Sequence, residues 1–207
     1  MIYKTLSSSW KPLKFSAIIA TVVWIAWFYL GTPTPFAYIQ NHWEISLTMV
    51  FGSLIAGATS EGGGAVAFPA FTKLLLISPV DAKVFSLAIQ SVGMTAAAIV
   101  IMYMKIGVEW RVIRWASLGG VLGIVLSSVV LAPILPPPVL KMSFTAMAAS
   151  FAVTLFVLNC GKRYCHTSLQ IFGSYERLLL LVVGFVGGMM SGLVGNGIDI
   201  ITFSVMV

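Results

Sequence analysis

The stretch Gly57-Ala-Thr-Ser-Glu-Gly-Gly-Gly-Ala-Val-Ala-Phe-Pro69 decides how this chain folds. It joins two apolar runs, residues 45–59 and 65–77, each too short to cross a bilayer comfortably. Three consecutive glycines permit backbone angles and close approaches that other residues resist. Non-helical backbone at membrane depth survives only where protein buries it or where it lines a cavity. The stretch therefore reads as a broken membrane helix. A second half-helix begins near Ala65, and Pro69 loosens its hydrogen-bond ladder.

The rest of the chain supplies the membrane. Of 207 residues, 59% are hydrophobic and only 9% are charged, against roughly 25% charged in soluble domains. That excludes an ordinary soluble enzyme, a disordered chain and a nucleic-acid-binding domain. Apolar runs at 82–104, 112–135, 139–158 and 178–194 read as further spans. Residues 15–30 read as a first, uncleaved transmembrane helix rather than a signal peptide, because no small-residue cleavage pattern follows.

Twelve Lys and Arg against six Asp and Glu give a net charge of +6. The basic residues collect at the N-terminus, at 105–114 and at 159–177, so these segments are expected in the cytoplasm. The segment 31–44 carries none and is expected as an outer loop. Four regions follow. Residues 1–44 are expected to hold the basic N-terminus, first helix and outer loop, and 45–158 a first repeat. Residues 159–176 form a cytoplasmic loop, and 177–207 begin a second repeat. Cys160, Cys165 and His166 are too few for a closed zinc site, and no cofactor or metal is expected.

The first break has a counterpart at an offset of 135 residues. Gly192-Leu-Val-Gly-Asn-Gly-Ile-Asp-Ile-Ile-Thr-Phe-Ser204 lies over the opening stretch, with Gly52 on Gly187, Gly62 on Gly197, Phe68 on Phe203 and Asp199 on Gly64. The first copy is entered from outside and the second from inside, which makes an inverted repeat. Paired broken helices at matching places in two halves point to a transporter binding site. The fold class is thus all-α: a polytopic transmembrane helical bundle with inverted repeats and glycine-interrupted half-helices.

The candidate substrate-binding residues are Ser60, Glu61, Gly62, Gly63, Gly64, Gln90, Ser91, Asn196, Gly197 and Asp199. The amides at Gly62–Gly64 and the positive end of the half-helix suit an anion, and Thr59 and Ser60 add hydroxyls. The other reading of these glycines is close helix packing. A carboxylate at membrane depth costs about 2.5–3.5 kcal/mol and is rarely decorative. Glu61 and Asp199 fit either a proton carrier coupled to anion movement or an inert group at a watery cavity mouth. Gln90 and Ser91 fit either a contact to a substrate oxyanion or an interhelical hydrogen bond worth about 0.6 kcal/mol.

Ser60-Glu61-Gly62-Gly63-Gly64, followed by Phe68-Pro69, resembles the first-half signature of the TauE/SafE family, often called sulfite exporters. The second copy, Gly195-Asn196-Gly197, is degenerate, with Ile198 at the third glycine position and Ser204 at the proline. The resemblance covers roughly residues 45–207. It implies an inner-membrane carrier of two related halves that moves sulfite or sulfur-containing organic anions such as sulfoacetate.

The leading expectation is a secondary transporter, an exporter of small anions such as sulfite or organosulfonates, with protons as coupling ion. Its partners would be a small anionic substrate and the lipid bilayer, with no nucleic acid. The alternative is a non-transporting membrane scaffold or assembly protein, against which Glu61 and Asp199 count. An intramembrane enzyme is not expected: Gly195-Asn196-Gly197-Ile198-Asp199 is near a membrane aspartyl-protease motif but lacks a partner aspartate. The repeat argument expects about 60–80 further residues beyond Val207, or else a homodimer or partner chain that completes the site.

Overall fold

A computed structural model describes residues 10–31, 35–58, 62–160 and 172–206. The described residues are helical almost throughout. In order come α1 (Trp10–Leu30), α2 (Pro35–Asn41), α3 (Trp43–Ala58), α4 (Gly64–Pro69), α5 (Pro79–Tyr103), α6 (Trp110–Leu126), α7 (Pro137–Cys160), α8 (Ser174–Val194) and α9 (Ile198–Met206). Wider π turns extend α4 over Ala70–Leu74 and α6 over Ser127–Leu131. The first follows Pro69, whose missing N–H breaks the ordinary ladder.

Among the described residues four helices are long and apolar enough to cross a membrane: Pro79–Tyr103, Trp110–Leu131, Pro137–Val157 and Ser174–Val194. They coincide with the four long runs read from the sequence. Their outward faces are apolar, with Leu122, Phe156 and Leu178 each more than half exposed. One detail corrects the sequence reading. The segment 31–44 is not all loop but contains the short helix α2. Pro35 favours a helix start, and seven residues are too few to show a period.

The frame of the bundle is the pair α6 and α8, which run parallel and in backbone contact. A Cβ on Gly184 would strike the main chain of Ala116, one on Gly188 that of Gly120, and one on Gly192 the carbonyl of Ile124. Small residues four apart on both helices let the backbones touch, as membrane helices require when no hydrophobic effect drives them together.

The two broken elements are hairpins. α4 folds back against α3, and Gly52 lies 3.6 Å from Val66 by its would-be Cβ. α9 folds back along α8, with Gly197 against Met190 and Ile198 against Gly187. Both half-helices pack on α7. Phe68 meets Phe144 at 5.2 Å between ring centroids, and Phe203 meets Phe151 at 5.7 Å. Phe68 and Phe203 are equivalent in the repeat, and their partners lie about two helical turns apart. α4 heads toward the start of α7, where the Lys141 ammonium donates to the Thr72 carbonyl at 3.3 Å. α9 leaves in the opposite sense. The two half-helices therefore diverge from one meeting point.

Candidate functional site

That meeting point is polar. The Gly62 amide donates to Asp199 Oδ2 at 3.2 Å, across 137 residues of sequence. Gln90 Nε2, from the middle of α5, donates to the same Oδ2 at 3.0 Å and to Asn196 Oδ1 at 3.2 Å. Asp199 Oδ1 accepts from the Ile200 amide at 3.0 Å, on the first turn of α9. The carboxylate of the second break is thus held by a backbone amide of the first break, by its own helix terminus and by α5. Helix-terminal amides stabilise negative charge of this kind. Among the described residues no basic side chain pairs with Asp199; the ion pair there joins Arg111 to Glu109, 3.5 Å apart at the surface.

Glycine makes the approach possible. Gly195 ends α8 with φ 86°, in the left-handed region, and its amide bonds back to the Ser191 carbonyl at 2.8 Å. A Cβ there would lie 2.7 Å from Ser86 Cβ and 2.9 Å from the Lys83 carbonyl oxygen. A Cβ on Gly62 would strike the Gln90 amide, and one on Gly64 would lie 3.2 Å from the Gly195 carbonyl oxygen. α5 is therefore wedged between the breaks by one face that carries Lys83, Ser86 and Gln90.

Three buried side-chain atoms at or near this point have no hydrogen-bond partner among the described residues: Ser86 Oγ, Asn196 Nδ2 and Thr202 Oγ1. Ser86 and Asn196 are fully buried. Most buried polar groups in folded proteins are satisfied, so such orphans call for a reason.

The structure gathers five of the expected residues here. Gln90, Asn196 and Asp199 contribute side chains, Gly62 an amide and Gly64 a close approach. Gly63 instead faces Ile89 and Met49, and Gly197 packs on α8 against Met190, so both serve packing. Ser91 is not brought in: its exposed hydroxyl donates to the Ala88 carbonyl of its own helix at 2.8 Å. Ser60 and Glu61, with Thr59, Cys165 and His166, lie outside the described residues. Sequence reasoning missed Ser86. Its signal was its place four residues before Gln90, on the same helix face.

Long apolar helices around a buried polar site, built where two broken helices cross, define a membrane carrier. The family model described as "Sulfite exporter TauE/SafE" matches residues 45–207. The chain belongs to that family of membrane transporters for sulfite-type anions and is a multi-pass membrane protein. The match begins within α3 and leaves α1 and α2 outside it. Comparison with curated proteins and with solved structures returns no match.

Proposed function

We propose that the protein is a proton-coupled secondary carrier that exports small oxyanions, of the sulfite or organosulfonate kind, across a bacterial inner membrane. Its N-terminus lies in the cytoplasm, where the basic loops belong. The observation that carries this reading is the Gly62–Asp199–Gln90–Asn196 network. It joins the two halves of the repeat through hydrogen-bond donors gathered around one carboxylate.

A carboxylate and a sulfite-type anion ask for the same donors. Two like charges about 4 Å apart repel by about 4 kcal/mol at an effective dielectric of 20. An ionised Asp199 and a bound anion therefore exclude each other, whereas a proton on Asp199 frees the Gly62 and Gln90 donors. Anion and proton then occupy the site together, which is coupling by linkage. Unpaired polar groups at depth have no use in a scaffold, which weighs against that alternative.

The test uses the full-length protein in proteoliposomes and a radiolabelled organosulfonate whose charge is constant over the assay pH range. Wild-type flux is expected to follow an imposed pH gradient. Asp199→Asn, which mimics the neutral side chain, is expected to carry flux that ignores the gradient. Unchanged pH-gradient dependence in Asp199→Asn contradicts the proposal.

A further inference from the structure

Many helix hydroxyls of this bundle follow a habit that Ser86 breaks, as does Thr202 in α9. Thr48, Thr72, Ser91, Thr145, Thr154 and Ser204 each donate to a carbonyl three or four residues back in their own helix. Such back-bonding needs no second helix and satisfies a hydroxyl in an apolar setting. Ser86 sits mid-helix in α5 with the same option, is fully buried, and has no partner among the described residues.

Its position is the contact between the two breaks. Ser86 Cβ is 2.7 Å from the would-be Cβ of Gly195 and 3.4 Å from that of Gly64. Asn196, the next residue after Gly195, is fully buried as well. Its Oδ1 is engaged by Gln90 Nε2, which fixes the amide and leaves Nδ2 without a partner. Two buried, neutral donors thus belong to residues that meet at Gly195.

We propose that Ser86 Oγ and Asn196 Nδ2 add two donors to those of Gly62 and Gln90 in receiving the transported anion, and that Ser86 is a specificity-determining residue. Two separate directional donors suit an ion with two or more oxygens on one centre, and they have little to offer a spherical halide. Sulfite, sulfonates and carboxylates qualify by shape. Ser86 ranks them, because it supplies a single short hydroxyl held by the packing of Gly64 and Gly195. The inference rests on the carrier reading above.

The experiment is a sulfite titration of the full-length protein in detergent, followed by thermal stability, with chloride at matched ionic strength as comparator. Ser86→Ala is expected to weaken sulfite affinity about tenfold, which corresponds to about 1.4 kcal/mol. The melting temperature without anion should stay level or rise, because an unpartnered buried hydroxyl is lost. Any small response to chloride should be unaltered. Ser86→Cys keeps a donor, weaker and on a larger atom, and should fall between, so it carries the test if Ser86→Ala does not fold. Equal sulfite affinity in wild type and these variants overturns the inference and leaves the carrier reading standing. A wild-type protein that responds to no oxyanion overturns both.

Discussion

Gly184→Ala probes the frame that carries the second break. The added methyl would lie 2.8 Å from both the carbonyl carbon and Cα of Ala116, and closer still to its carbonyl oxygen. Ordinary carbon contacts lie at about 3.5–4.0 Å. Relief therefore demands that α6 and α8 separate by about 1 Å, because no rotamer change moves backbone. The same shift pulls apart the Gly188–Gly120 and Gly192–Ile124 contacts. Overpacking costs about 1–3 kcal/mol, and a rigid backbone neighbour places this case near the top. Alanine returns about 1 kcal/mol of helix propensity over glycine. The net is about 2 kcal/mol, or about 4–8 °C in melting temperature for a chain of this size. The assay is thermal unfolding in detergent, with Gly93→Ala as control. A Cβ at Gly93 meets nothing within 4 Å, so that variant should melt level with the wild type or a few degrees above it. A Gly184→Ala protein as stable as wild type would refute the reasoning, as would an equal fall in Gly93→Ala.

Two further outcomes concern the site. Gly195→Ala places a methyl in left-handed backbone, at about 1–2 kcal/mol, and 2.7 Å from Ser86 Cβ. It should abolish sulfite-dependent stabilisation in a thermal-shift titration, because the turn at Gly195 aims Asn196 and Asp199. Asp199→Asn should melt within a few degrees of wild type. Its Oδ1 can still accept from Gly62 and Gln90, so those bonds fall only from about 1.5–3 to about 0.5–1.5 kcal/mol each and the bond from Ile200 is lost, while the charge removed costs about 2.5–3.5 kcal/mol at membrane depth. A collapse of stability in that variant would make Asp199 a structural strut rather than a carrier of protons.

The long helices were legible in the apolar runs, since membrane spans need length more than pattern: the run 82–104 became Pro79–Tyr103. The breaks were legible too, because three glycines at 62–64 and the offset of 135 mark both. What the sequence could not show is which side chains meet. Ser86 and Ser91 are both serines in one apolar helix. Five residues of helix turn them to different faces, so one is buried against Gly195 and the other bonds its own backbone. The close approach of α6 and α8 had a signal in the spacing of Gly184, Gly188 and Gly192, whose partners lie on another helix. The short α2 had only Pro35 to announce it. Gly63 and Gly197 look like their neighbours in sequence, and only packing separates them from Gly62 and Gly64.

The central claim is that the crossing of the two breaks binds and moves an oxyanion. Gln90 is its keystone, because Nε2 ties Asp199 to Asn196 from α5. The most direct measurement is sulfite flux through the full-length protein in proteoliposomes, wild type beside Gln90→Leu, with both shown to be folded. Saturable wild-type flux that falls at least about tenfold in Gln90→Leu, the loss of about 1.4 kcal/mol, is the predicted result. Equal flux in the two proteins, or no flux of sulfite or any sulfonate through the wild type, would contradict it.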